Sequence, residues 1–387
     1  MSDAVAALLE GLAAILPEGE VYPLHEPYFG GEEEANVLDC VRSGWVSSVG
    51  SYVDQFEQDL AAYTGAKHAI VTMNGTAALH LCYMLSGVQA GDEVLCPSLT
   101  FVATANTIRY CDATPHFVDV DEARLTVCPE KLRSYLEAVA EMQGDVCVNK
   151  QTGAPIRALV VMHTFGLPAD LAALSALCDA YNIALIEDAA ESLGSFYKGV
   201  HTGNHGRCSA LSFNGNKILT TGGGGAILTN DVALAKRAKH LSTTAKQPHP
   251  YAYIHDKVGY NYRMPNLNAA LGVAQLKQLP DFLKAKRTLA ERYQALCEAL
   301  EGIEFIAEPE QCQTNYWLNA IKLPDAASKA ALLDALHARQ IFARPIWQPM
   351  HLLDIYKDCP RAPLPNTEAL AERVVNLPSS VGLAQRP

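Results

Sequence analysis

The chain has 387 residues, 49% hydrophobic and 19% charged, which suits a compact soluble protein with two cores. Its net charge of −12 argues against nucleic acid or an anionic membrane as partner, but leaves room for a local cationic site that takes an anionic substrate. Eleven widely spaced cysteines without a Cys-x-x-Cys pair, many in apolar runs, read as free thiols of a cytoplasmic protein and not as a disulfide framework.

In chain order, Met1 to Leu16 is apolar but carries Asp3 and Glu10 and lacks a basic start, which predicts an amphipathic helix and not a signal peptide. No run reaches the roughly 18–20 apolar residues that span a bilayer. Gly44-Trp45-Val46-Ser47-Ser48-Val49-Gly50 reads as a loop around one tryptophan, and Val53–Tyr63 has helical spacing that closes at Gly65. From residue 67 to about 230, short β-rich runs alternate with helices. Strands are predicted at His68–Met73, Glu93–Cys96, His116–Val120, Ala158–Met162, Ala184–Ile186, Ser209–Ser212 and Gly225–Leu228. Helices are predicted at Thr76–Ser86, Pro129–Met142 and Ala169–Tyr181. This alternation predicts an α/β domain on a mostly parallel sheet, whose ligands bind beyond the carboxyl ends of the strands. Further on, Leu234–Leu241 and Ala326–Arg339 read as helices, and Ala269–Leu300 as a long helical region interrupted by Pro280. The division expected is an N-terminal helix and arm over 1–24, a large domain over 25–245 and a small C-terminal domain over 246–387.

Chemistry-bearing residues fall where strands end. Met73-Asn74-Gly75-Thr76-Ala77-Ala78 opens a helix, so backbone N–H groups and a hydroxyl converge as for a bound phosphate; it is equally a good turn and helix cap. Phe101 follows a strand, as a core aromatic or as a ring-stacking group. Asp188 ends the hydrophobic strand Ala184-Leu185-Ile186-Glu187-Asp188, where a structural acid has little reason to be. A metal site is the other reading of Glu187 and Asp188, but no His or Cys cluster accompanies them. His163 also follows a strand, and a lone histidine there is more often structural. Lys217 lies in Ser212-Phe213-Asn214-Gly215-Asn216-Lys217-Ile218-Leu219-Thr220-Thr221-Gly222-Gly223-Gly224-Gly225. A lysine partly removed from water is a usable nucleophile, whereas a surface lysine on a glycine-rich hairpin is not.

The pattern Ser-Phe-x-x-x-Lys-x-x-Thr-Thr-Gly-x-Gly-Gly resembles the cofactor-lysine segment of the nucleotide-sugar aminotransferases of the DegT/DnrJ/EryC1/StrS family. The resemblance runs over residues 22–387. It is closest to the LegC-like branch, judged from the loop at Trp45, Gly259-Tyr260-Asn261-Tyr262-Arg263-Met264, Asn315-Tyr316-Trp317-Leu318-Asn319 and Asn376-Leu377-Pro378-Ser379-Ser380. It implies a fold type I aminotransferase: a large domain on a mainly parallel seven-stranded sheet, plus a smaller C-terminal α/β domain. It further implies pyridoxal 5'-phosphate (PLP) carried by Lys217, with Asp188 at the pyridine nitrogen and Phe101 on the ring. Gly75, Thr76, Ala77 and Ser212 would hold the phosphate, and Glu191 would stand near the phenolic oxygen. Asn261 and Arg263 would reach into the partner subunit of a homodimer with composite sites. His163, Trp45, Tyr316, Trp317 and His351 are candidates for the substrate wall.

The activity implied is transfer of an amino group from L-glutamate to a UDP-linked 2-acetamido-4-keto-2,6-dideoxyhexose. Its product would serve lipopolysaccharide or other surface glycans, or legionaminic-type acids. Gly223 departs from the family pattern, which has Glu there. A PLP-dependent sugar dehydratase would carry His in place of Lys217. A scaffold-only sugar-binding or regulatory protein would not need the intact set Thr76, Asp188, Ser212 and Lys217.

Overall fold

The computed structural model describes residues 3–17 and 19–385. Seven strands form the central sheet: β1 (His68–Thr72), β2 (Glu93–Pro97), β3 (Thr114–Val118), β4 (Ile156–Met162), β5 (Ala184–Asp188), β6 (Cys208–Ser212) and β7 (Gly225–Thr229). Their order is β1-β7-β6-β5-β4-β2-β3, and only β7 runs antiparallel to its neighbours. All seven predicted strands are present, each within about two residues of its expected ends. The sheet is buried on both faces, as parallel sheets are. On one face Val94, Cys96, Ala158, Val160 and Ile186 pack with the Gly75–Leu85 and Val102–Tyr110 helices; on the other, Leu95, Leu159, Val161 and Leu185 pack with Leu171–Ala180. Alternate residues of one strand thus serve opposite layers, which is why the strands read as continuous apolar runs.

Two expected helices end differently. The predicted Pro129–Met142 helix stops at Val139, because Ala140–Gln143 pairs antiparallel with Val146–Asn149 around the left-handed Gly144. The long helix runs unbroken from Asn266 to Glu298 with Pro280 inside it, so the expected interruption does not occur. Its first half packs on the Ser51–Thr64 helix, where Gly272 lies against the Phe56 ring. Its second half, through Leu289 and Tyr293, joins a core shared with the Asp3–Leu12 helix. Met1 and Ser2 of the predicted N-terminal helix lie outside the described residues.

A second, antiparallel sheet is built of Glu304–Phe305, Asn319–Lys322, Val374–Leu377 and Arg344–Pro345, in that spatial order. Tyr22 bridges to Ile341, and Ser379 donates its N–H to Leu24 O at 2.7 Å, so the segment around Leu24 is clamped to this part of the molecule. The carboxyl ends of β1, β5 and β6 thereby face residues carried by the second sheet across one cavity.

Candidate active site

The cavity holds about 700 Å³. Gly75, Thr76, Phe101, Asp188, Glu191, Ser212 and Lys217 all line it, although they come from four separate stretches of chain. Parallel strands explain the convergence, since each loop leaving a carboxyl end emerges on the same edge.

The turn after β1 is capped by Asn74, whose Oδ1 accepts from Ala77 N at 2.7 Å. Ala77 is buried, and its N–H is engaged by this cap; it does not line the cavity. Gly75 is required by crowding: a Cβ there would sit 2.8 Å from Ser212 Cβ, and one on Gly225 would sit 2.6 Å from Gly75 N. The two glycines let the helix start approach Ser212 closely, leaving a small polar concavity at a positive helix end.

Asp188 is almost fully buried. Burial raises its carboxyl pKa above the usual value, opposed by the Thr104 hydroxyl, which donates to Oδ2 at 2.8 Å, and by Ala190 N–H. Such a carboxylate gains from any cation brought beside it. Thr104, invisible as a motif, is one turn into the helix that Phe101 begins. Phe101 itself is 49% exposed and faces the cavity, so it is not a core aromatic.

Lys217 is a half-buried side chain, 13% exposed. Its Nζ lies 3.9 Å from the centroid of the Trp317 ring and 3.2 Å from Glu191 Oε1. Trp317 is fixed in turn: its indole N–H donates to Asn216 O at 2.7 Å, and the buried Lys286 Nζ donates to Trp317 O at 3.0 Å. Burial raises the Glu191 carboxyl to about 6, against the pull of the Lys217 ammonium and of Phe165 N–H, which donates to Oε2 at 2.9 Å. Phe165 holds a left-handed φ of 56°, the conformation that aims this N–H at the carboxylate. The loop carrying Lys217 closes through Phe213 N–H to Gly224 O and Thr221 N–H to Phe213 O. Gly222 turns it at φ 77°, whereas a side chain at Gly223 would meet nothing nearer than 3.9 Å. Nothing in the structure explains why Gly223 is a glycine.

The remaining candidates lie elsewhere. His163 is fully buried, with Nε2 3.0 Å from Glu187 Oε2 and Nδ1 accepting from Ala169 N. Glu187 also accepts from the N–H groups of Gly203, His205 and Gly206; burial pushes its carboxyl up, but His163 and these bonds bring it down to about 2. His351 bonds Ser98, and the Tyr316 hydroxyl accepts from Glu308 N; neither lines the cavity.

Trp45 is 58% exposed, which excludes a buried staple. Its loop is pinned to the 260–266 segment by Asn266, whose Nδ2 donates to Trp45 O at 2.7 Å. In that segment Arg263 Nε donates to Asn261 Oδ1, and Met73 N–H donates to Tyr262 O. Trp45, Asn261 and Arg263 therefore share a region beside the β1 end, outside the cavity of their own chain. Leu24, Arg344 and Trp347 line the cavity and carry no sequence signal that singled them out; Asn376 also lines it, and belongs to a segment that carries the family resemblance without a role assigned to it.

This donor set fits PLP. The concavity that a Cβ on Gly75 would fill suits a phosphate, the buried Asp188 suits a protonated pyridine nitrogen, and Lys217 is the nearby amine. Comparison with known proteins agrees in kind. The model of the DegT/DnrJ/EryC1/StrS aminotransferase family matches residues 27–387. The GDP-perosamine synthase of Vibrio cholerae is 37% identical over 93% of this chain and 94% of its own. The crystal structure of the aminotransferase TlmJ from Streptoalloteichus hindustanus superposes with a TM-score of 0.83 at 30% identity, covering 92% of this chain and 93% of TlmJ. Helicobacter pylori PseC, an aminotransferase of pseudaminic acid biosynthesis, shares the fold, with a TM-score of 0.85 at 22% identity over 95% and 98% of the two chains.

Proposed function

Because the chain belongs to the DegT/DnrJ/EryC1/StrS aminotransferase family, whose members depend on PLP, we propose that it aminates the 4-keto carbon of a nucleotide-linked 6-deoxy sugar. L-glutamate is the amino donor in this reading. The observation that carries it is the single cavity in which the Gly75–Thr76 turn, Asp188 and Lys217 meet. The chain works as a large unit over 25–245 that holds the cofactor and a smaller unit over 246–387, in the cytoplasm.

When bound, PLP supplies an aldehyde carbon for amine exchange and a ring that withdraws electrons from the reacting centre. Gly75, Thr76 and Ser212 anchor its phosphate. Asp188 holds a proton on the pyridine nitrogen, and Phe101 covers the ring. Lys217 Nζ would be the nucleophile that holds the cofactor; once displaced, it would move the donor's α proton to the former aldehyde carbon in the first half-reaction, and a proton from that carbon to C4 of the sugar in the second. Glu191 stays within reach of that amine. Asn261 and Arg263 act in the cavity of a second copy, with Trp45 beside them, in a homodimer. Their position outside their own chain's cavity favours this arrangement.

The sugar nucleotide we favour is UDP-2-acetamido-4-keto-2,6-dideoxyhexose, feeding legionaminic-type acids or other surface glycans. A GDP-linked 4-keto-6-deoxy sugar is the second reading, favoured by the 37% identity to a GDP-perosamine synthase. The test is incubation of the PLP-loaded enzyme with L-glutamate and each keto sugar, followed by mass spectrometry of the sugar nucleotide. Amino-sugar product from the UDP substrate supports the first reading, product from the GDP substrate alone supports the second, and no aminated product from either would contradict both.

A further inference from the structure

Two residues of the cavity wall have no part in the scheme so far. Arg344 and Asn376 are directly opposed in the antiparallel ladder between Arg344–Pro345 and Val374–Leu377. Opposed side chains of such a pair share a face, with Cβ atoms roughly 5 Å apart. Both residues line the cavity that contains Lys217. Their states are complementary. Arg344 is exposed to the cavity, and among the described residues its guanidinium has no carboxylate and no hydrogen-bond acceptor. By contrast, Arg157 and Arg287 are paired with Asp92 and Glu308. Asn376 is 3% exposed, and its buried Oδ1 has no hydrogen-bond donor. A buried acceptor left empty beside a guanidinium with five unused donors is an incomplete site.

We infer that Arg344, oriented by Asn376, binds the α-carboxylate of the amino donor. The inference rests on the aminotransferase reading above. In that reaction the α-carboxylate is one bond from the carbon whose proton Lys217 removes, so its partner must be a cation in the cavity wall. The cavity is lined by two cations, Lys217 and Arg344. Lys217 is the reacting amine and already faces Glu191 at 3.2 Å. Within its own chain Arg344 is the cation left for the donor, and the Arg263 that would enter from a second copy is left for the phosphates of the sugar nucleotide. A guanidinium receives a carboxylate through two parallel N–H bonds, which sets the donor's orientation as well as its affinity. One further N–H, turned onto Asn376 Oδ1, would hold the plane of the fork and satisfy the empty acceptor. Asn376 is thus a positioning residue, and Arg344 the residue that touches substrate. The phosphates of the sugar nucleotide lie several bonds from the 4-keto carbon and need no contact with Arg344 in this arrangement.

The two half-reactions separate this assignment from its rivals. The L-glutamate concentration that half-converts the lysine-bound cofactor to its aminated form is read by absorbance, without sugar present. Arg344→Gln should raise that concentration about tenfold or more, and Arg344→Lys, which keeps the charge without the fork, by less. Asn376→Ala should raise it severalfold. The reverse half-reaction with UDP-2-acetamido-4-amino-2,4,6-trideoxyhexose, or with its GDP-linked counterpart if that is the substrate, should stay within about twofold of the unmodified enzyme. Calorimetry of the PLP-loaded enzyme gives a second readout: 2-oxoglutarate binding should be lost in Arg344→Gln, with the unfolding temperature unchanged. Unchanged half-conversion by glutamate in Arg344→Gln, or a defect confined to the sugar half-reaction, would overturn this assignment alone. Absence of any conversion by glutamate in the unmodified enzyme would overturn the donor reading and this inference with it.

Discussion

Lys217 and Glu191 meet at 3.2 Å in a cavity that also contains the buried Asp188, so two acids compete for the field of one amine. Burial raises Glu191 from the usual 4.5 to about 6. The sign follows from linkage: folding favours its neutral form, a contribution present below about 4.5 and lost as pH rises through about 6. Above that pH Glu191 is a carboxylate facing Lys217; below it the pair loses its charge on one side. The pH profile of the glutamate half-reaction should therefore show an inflection near 6 that disappears in Glu191→Gln. An inflection that survives in the variant would assign it to another group. Glu191 was legible as a candidate only through the family resemblance, which implies a residue near the cofactor's phenolic oxygen at that position. Its anchor, the left-handed Phe165 N–H, was not, because backbone conformation at a non-glycine residue leaves no mark in the sequence. His163 illustrates the converse: it follows a strand as a site residue would, yet Glu187 and Ala169 engage both of its ring nitrogens.

At the scale of elements, β-strand alternation and strand-end motifs were readable because buried parallel strands are short apolar runs bounded by turns. Helix ends were less so. Ala140–Gln143 continues the helical apolar spacing of Pro129–Val139, and only its pairing with Val146–Asn149 makes it a strand. Pro280 reads as a break, yet the Asn266–Glu298 helix passes through it, held by packing along its length. The same helix offers a sharp test of that packing. Gly→Ala inside an exposed helix normally stabilises by roughly 1 kcal/mol. At Gly272 the added Cβ would lie 2.5 Å from the Phe56 ring, so Gly272→Ala should instead destabilise by about 1–3 kcal/mol in denaturant unfolding. A stabilised variant would show that the Ser51–Thr64 helix can move aside.

At the scale of the molecule, the cavity is closed by parts whose place at its wall no local pattern announces. Leu24, Arg344, Trp347 and Asn376 reach it only through the second sheet and the clamped N-terminal segment, so their role depends on contacts far apart in sequence. The regions around Trp45 and Tyr262 raise the complementary question of a second copy. Trp45, Val49, Tyr251, Tyr253 and Val258 are all exposed. If Asn261 and Arg263 complete a neighbour's site, an equimolar, re-equilibrated mixture of inactive Lys217→Ala and inactive Arg263→Ala should recover about a quarter of the native activity, since about half of its dimers are mixed and one of the two sites in each is intact. No recovery from mixed dimers isolated as such would contradict shared sites.

The central claim is that Lys217 carries the cofactor and exchanges it with an amino donor. It is tested most directly by the absorbance spectrum of the purified protein with PLP, before and after L-glutamate, beside Lys217→Ala. The account predicts a visible band of lysine-bound cofactor that glutamate replaces with the spectrum of the aminated cofactor, and no such lysine-bound band in the variant. A spectrum that PLP and glutamate leave unchanged, or a variant that behaves as the native chain, would contradict it.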